Sequence, residues 1–295
     1  MEMTVTEKID TIVELLKQTA ASPCAIAIAG AHAKGTADSS SDIDIYLFAD
    51  LYKPYAERNT LIRSIADSDK FAWISENAED APWGGSMDFT LAGTPVEVNF
   101  RTFAMVDHIL EDCMNGRFKI LPATWTSNGY YTFVYLSELN FIQPVWDPEG
   151  RLAAYQQKVR HYPERLRQSI LKIFMERAET WLDNFHYDSA IRRCDTLFTS
   201  PIVLHTLMDM VQVIFALNRR YFTGDKKLAK ALSSMGICPS VLLTELPFLL
   251  NADQNTEGLE RQRQILRAAR NELYRFIAED QANCCEPWPA DIVED

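Results

Sequence analysis

The sequence predicts an α+β protein in which a small mixed-sheet domain, residues 1–147, precedes an all-helical bundle domain, residues 148–295. Two observations carry this. Short apolar runs bounded by Pro and Gly, some alternating with polar residues, are confined to the first half. Beyond Pro148 the pattern changes to long helical periodicity with few strand signals.

Ile9, Ile12, Val13 and Leu16 recur at helical spacing, so residues 4–20 predict a first helix packed on the sheet. Residues 24–29 predict a buried strand between Pro23 and Gly30, and residues 42–48 a second strand after a glycine-containing turn. A helical stretch around residues 55–66 leads to a strand over residues 71–75. Residues 77–86, with Pro82, Gly84 and Gly85, form a loop that could lie over a site, where Trp83 either stacks on a ligand or packs. Residues 87–91 and 93–101 predict a hairpin across Ala92-Gly93-Thr94, and residues 103–115 a helix returning across a sheet covered by helices on one side. In the bundle, helices are predicted over 160–184, 188–196, 201–221, 226–235 and 257–279. Val203, Leu207, Met210, Val211, Ile214 and Leu217 form a stripe wide enough for a core. Residues 286–295 form a Pro-containing tail.

Strand side chains alternate faces, so Asp42 and Asp44 project together while Ile43, Ile45 and Leu47 point the other way. Two carboxylates a strand step apart can share hard divalent cations, and a two-metal arrangement can stabilise both the attacking and the leaving oxygen of an in-line displacement. Farther along, Glu97 and Asn99 face away from Val96 and Val98, and Asp88 on the hairpin partner is a rival third carboxylate. Gly30 and Gly35 permit unusual dihedrals and close approach, so backbone N–H groups of the turn can meet phosphate oxygens. His32 and Lys34 are either exposed turn residues or nucleotide contacts.

The pattern Gly30-Ala31, Gly35, Ser41-Asp42-Ile43-Asp44 resembles the G-S, G, S-D-x-D motif of the polymerase-beta-like nucleotidyltransferases in spacing and residue type. More narrowly, the chain resembles bacterial aminoglycoside and lincosamide adenylyltransferases, which place a nucleotidyltransferase domain before a helical bundle. The resemblance implies Asp42, Asp44 and Glu97 as catalytic residues and Mg²⁺ ligands for two ions, with Glu97 a metal ligand, a general base, or both. It implies nucleotide contacts from Gly30, Ala31, Lys34, Gly35 and Ser41, and transfer of AMP from ATP to a hydroxyl of a small molecule, an antibiotic among the first to try, with release of pyrophosphate. Ala31 departs from the usual serine and loses a hydroxyl, for which Ser39 to Ser41 could compensate.

The segment from Ile214 to Leu228 resembles the place in those enzymes where a helix ends in a glycine turn and a lysine reaches the triphosphate. Lys226 or Lys227 would then neutralise charge as pyrophosphate leaves, with Asn218 and Tyr221 lining the same cleft. The bland alternative is a helix C-terminus capped by Gly224, its lysines satisfying the helix dipole. His205 is expected to pack or cap rather than catalyse. Two further readings stay open: protein AMPylation of the toxin–antitoxin type, and a catalytically idle nucleotide sensor, which Ala31 favours.

Across 295 residues, 29 Lys and Arg stand against 41 Asp and Glu, a formal charge of -12 that argues against extended nucleic acid and favours a cationic acceptor. The cysteines, at 24, 113, 194, 238, 284 and 285, include no Cys-x-x-Cys pair that would suggest zinc. A charged, amphipathic N-terminus and the lack of a run reading as membrane-spanning predict no membrane partner and a reducing cytoplasm.

Overall fold

The computed structural model describes residues 3–38, 40–68, 70, 72–77, 81–123, 126 and 128–283. Ser39, Phe71 at the head of the predicted third strand, Cys284, Cys285 and the tail lie outside the described residues. The chain divides into two compact units, Met1–Cys113 with Phe118–His161, and Met114–Arg117 with Tyr162–Asp295.

Unit one begins with α1, Val5–Thr19, closed by a capping box between Thr4 and Glu7. There follow β1 (Cys24–Ile28), the single turn α2 (Gly30–Ala33), β2 (Ile43–Ala49), α3 (Tyr55–Arg63), β3 (Trp73–Ile74), β4 (Ser86–Leu91), β5 (Thr94–Arg101) and α4 (Phe103–Met114). A small β6 (Ile120–Leu121) and β7 (Tyr130–Tyr131) ladder precedes α5 (Val134–Phe141), β8 (Gln143–Trp146) and α6 (Arg151–Val159). The main sheet has six strands in the order β3-β4-β5-β2-β1-β8. β2 and β5 are parallel and every other pair is antiparallel, so the sheet is mixed.

The β4–β5 hairpin turns in two residues, Ala92 and Gly93, both with positive φ (45° and 77°), the twist that matches flanking strands. Its tip is held on both sides. Asp67 accepts from both turn N–H groups at 2.9 Å, while the buried Lys8 ammonium donates to Ala92 O and Thr94 Oγ1.

One face of the sheet buries Ile26, Ile43, Ile45, Leu47, Met87, Val96 and Val98 in a core with Ile12 and Leu16 of α1 and Ile62 of α3. The expectation of cover on one side only needs correction. On the second face Phe48 stacks on Phe103 of α4, and Arg101 pairs with Glu138 of α5. Those aromatic and ionic groups require cover, and α4 and α5 supply it at the end of the sheet away from Asp44 and Glu97. Edge strand β8 was not anticipated either: it is short and carries Pro144, which an edge tolerates. The division after His161, rather than after residue 147, leaves α6 in unit one. There α6 buries Leu152, Tyr155 and Val159, with Tyr155 against Phe103.

Unit two is helical: α7 (Glu164–Glu179), α8 (Phe185–Arg192), α9 (Thr196–Leu217), α10 (Leu228–Ser233), α11 (Ser240–Leu250) and α12 (Thr256–Asn283). All six residues of the expected apolar stripe are buried on α9, which packs against α7, α8 and α12. Helix α9 is long and apolar enough to cross a membrane by composition, contrary to expectation. Its most apolar window is 72% buried, as suits a core helix. Helix α11 escaped the sequence reading because Pro247 lies inside it.

Candidate active site

The parallel pairing of β2 with β5 puts Asp44 directly opposite Glu97, and Asp42 lies two residues before Asp44 on the approach to the strand. Carboxylate oxygens of Asp42, Asp44 and Glu97 all lie within 4.8 Å of one another. Asp42 and Glu97 are exposed and Asp44 half-buried. Three negative charges gathered this closely repel, and a divalent cation relieves that cost. An all-oxygen, anionic donor set suits Mg²⁺ or Mn²⁺ rather than a thiophilic metal, so the residues present fit the cation the motif implies.

The preceding turn is fastened to the backbone of β2 and to β8. Ala29 N donates to Asp44 O at 2.8 Å, and Gln143 Nε2 of β8 donates to Ala33 O at 2.7 Å. Gly30 has φ +56°, and a Cβ there would fall 1.6 Å from Asp44 Oδ2. Glycine is thus required by the neighbouring ligand as well as by the backbone angle, a reason the sequence did not disclose. Gly30, Ala31 and His32 open a single helical turn, whose first N–H groups have no acceptor within the helix. Gly35, at φ +64°, ends it.

The other expected contacts fall as follows. The Lys34 ammonium sits 5.2 Å from the centroid of the Phe141 ring. Ser41 Oγ accepts from Asp38 N at 2.9 Å, and the Ser40 and Ser41 hydroxyls reach Asp38 Oδ1. These two hydroxyls brace their own loop.

Asp88 on β4 is directly opposite Glu97 on the side away from β2, which continues the row of carboxylates across three strands. Burial, and then the charge of Glu97, pushes its carboxyl up to about 6. Asn99, two residues beyond Glu97 on the same face, is buried and donates Nδ2 to Glu97 Oε1 at 3.0 Å. Trp83 is half-buried and tilted against Tyr130 at 5.9 Å between ring centroids, a packing contact.

In unit two Lys226 and Lys227 are exposed, with Lys227 at φ 62° as N-cap of α10. Gly224 does not cap α9, which ends at Leu217; the left-handed residue after its C-cap Asn218 is Arg219, at φ 49°. Asn218 is committed to structure: its amide nitrogen donates to Ile214 O and Ile237 O, and its oxygen accepts from Ile237 N. Tyr221 stacks on Tyr162 at 4.9 Å. His205 is exposed on α9 rather than packed.

A family model described as a domain of unknown function (DUF4037) matches residues 138–227. Comparison with curated proteins gives no match. Among solved structures, a nucleotidyltransferase-like protein from Exiguobacterium sibiricum 255-15 is similar at 9% identity and a TM-score of 0.46, over 96% of this chain and 81% of that one.

Proposed function

We propose that the protein is a Mg²⁺-dependent nucleotidyltransferase that moves AMP from ATP to a hydroxyl group of a small molecule and releases pyrophosphate. The observation that carries this reading is the carboxylate triad, Asp42, Asp44 and Glu97, gathered beside the glycine turn of Gly30–Ala33. The triad would hold the cation, which when bound offsets the negative charge of the triphosphate. The N–H groups of Gly30, Ala31 and His32 would donate to phosphate oxygens. The acceptor oxygen bonds to the α-phosphorus, the bond from that phosphorus to the pyrophosphate oxygen breaks, and the hydroxyl proton passes to a base. Glu97 either completes the metal set or takes that proton. By the resemblance of residues 214–228, Lys226 or Lys227 would neutralise charge as pyrophosphate leaves.

The net charge of -12 supports a cationic acceptor, and aminoglycosides and lincosamides are the first to test, by the motif's resemblance. A cytoplasmic setting would supply the nucleotide. One observation favours a second reading, a nucleotide sensor without turnover: Ala31 lacks the hydroxyl, and Ser40 and Ser41 are committed to Asp38.

The test is label transfer from α-labelled ATP in the presence of Mg²⁺, antibiotics and cell extract, beside Asp44→Asn. Transfer to a small molecule, lowered on the order of 10³-fold in the variant, is expected. Label on protein alone would replace the small-molecule acceptor with a protein, and metal-dependent nucleotide binding without transfer would favour the sensor.

A further inference from the structure

We infer that Asn99 is a positioning residue for the metal site, one that holds the Glu97 carboxylate in the orientation it presents to a divalent cation; the inference rests on the metal reading above. Glu97 is exposed on its strand, with three side-chain torsions to immobilise before it can act as a ligand. It is met by a buried amide from its own strand: Asn99 is 7% exposed, and its Nδ2 lies 3.0 Å from Glu97 Oε1. The direction of the bond follows from chemistry. An ionised carboxylate only accepts, so the amide must turn its nitrogen to it.

The choice of side chain suits the task. An ammonium or guanidinium at this position would orient Glu97 but also cancel the charge the cation needs, and a carboxylate would repel it. A neutral amide fixes the plane of the carboxylate and leaves its full charge available. The backbone reinforces this, because residue 99 is flanked in register by Tyr46 of β2 and Ser86 of β4, and so is confined on both sides. Outer partners of metal ligands are typically worth about 10–100-fold in metal affinity.

The experiment measures Mn²⁺ affinity by titration of the full chain, with metal-free thermal unfolding as the structural readout. Asn99→Leu keeps the branched shape, with a somewhat larger side chain, and removes the donor. Asn99→Ala removes the donor without filling the site, and serves if the leucine variant does not fold. Ser86→Ala deletes a buried polar group in the same row without touching Glu97. Wild type should bind Mn²⁺, either Asn99 variant should bind about tenfold or more weakly, and Ser86→Ala should match wild type. Wild-type Mn²⁺ affinity in a folded Asn99 variant would overturn the inference while leaving the metal site in place, as would equal weakening by Ser86→Ala. Failure of wild type itself to bind Mn²⁺ would overturn the metal reading and this inference with it.

Discussion

Replacing Gly30 with alanine tests whether the glycine turn and the carboxylate triad are one device. At φ +56° a Cβ costs about 1–2 kcal/mol in backbone strain alone. The new methyl would stand 1.6 Å from Asp44 Oδ2 and 2.6 Å from its Cγ, well inside any tolerated contact. The carboxylate must then retreat by about 2 Å to regain ordinary packing distance, and leaving its rotamer adds roughly 0.5–1.5 kcal/mol. Metal ligands tolerate displacements of about 0.2 Å, so the retreat removes Asp44 from the site. Gly35→Ala is the matched control. Gly35 has φ +64° with nothing within 4 Å of its Cβ position, so it carries the backbone strain without the clash. Thermal unfolding and Mn²⁺ titration on both variants separate the two effects. Both should lose stability, about 1–2 kcal/mol for Gly35→Ala and about 2–3 kcal/mol for Gly30→Ala, while only Gly30→Ala should lose Mn²⁺ affinity, by tenfold or more. Equal Mn²⁺ affinity in the two variants would refute the reasoning.

Asp209, buried on α9, has its carboxyl pushed up to about 6 by burial, against the opposing pull of Arg177 at 3.1 Å and of His205. The folded chain therefore holds this proton more tightly than the unfolded chain, so wild type should lose stability as pH rises from about 4 to above 6, by at most about 3 kcal/mol. Asp209→Asn should lack this component; parallel unfolding curves for the two proteins across that range would contradict it. The exposed pair Lys226 and Lys227 should matter to nucleotide and not to folding. The double alanine variant is expected to raise the nucleotide KM about tenfold at an unchanged unfolding midpoint, and an unchanged KM would remove both lysines from the triphosphate site.

The local grammar of the chain was legible in its residues. Period-two alternation placed Asp42 with Asp44, and Glu97 with Asn99, each pair on one face of its own strand, and the Ala92-Gly93 pair announced its hairpin. The apolar stripe from Val203 to Leu217 marked the core helix of the bundle. All of these are written between near neighbours, where side-chain direction follows from backbone period alone. Only the tertiary structure decided that β2 and β5 run parallel with Asp44 opposite Glu97. That register depends on which faces of two distant segments are buried together, and a one-residue slip would have sent Glu97 to the opposite face. The same level of organisation gave Gly30 its second duty beneath Asp44, turned Asn99 toward Glu97, committed Asn218 to Ile237, and added β8 at the sheet edge to brace the turn. Residue type and spacing thus determined which groups could do the chemistry; long-range pairing, driven by burial of apolar faces, determined which of them meet.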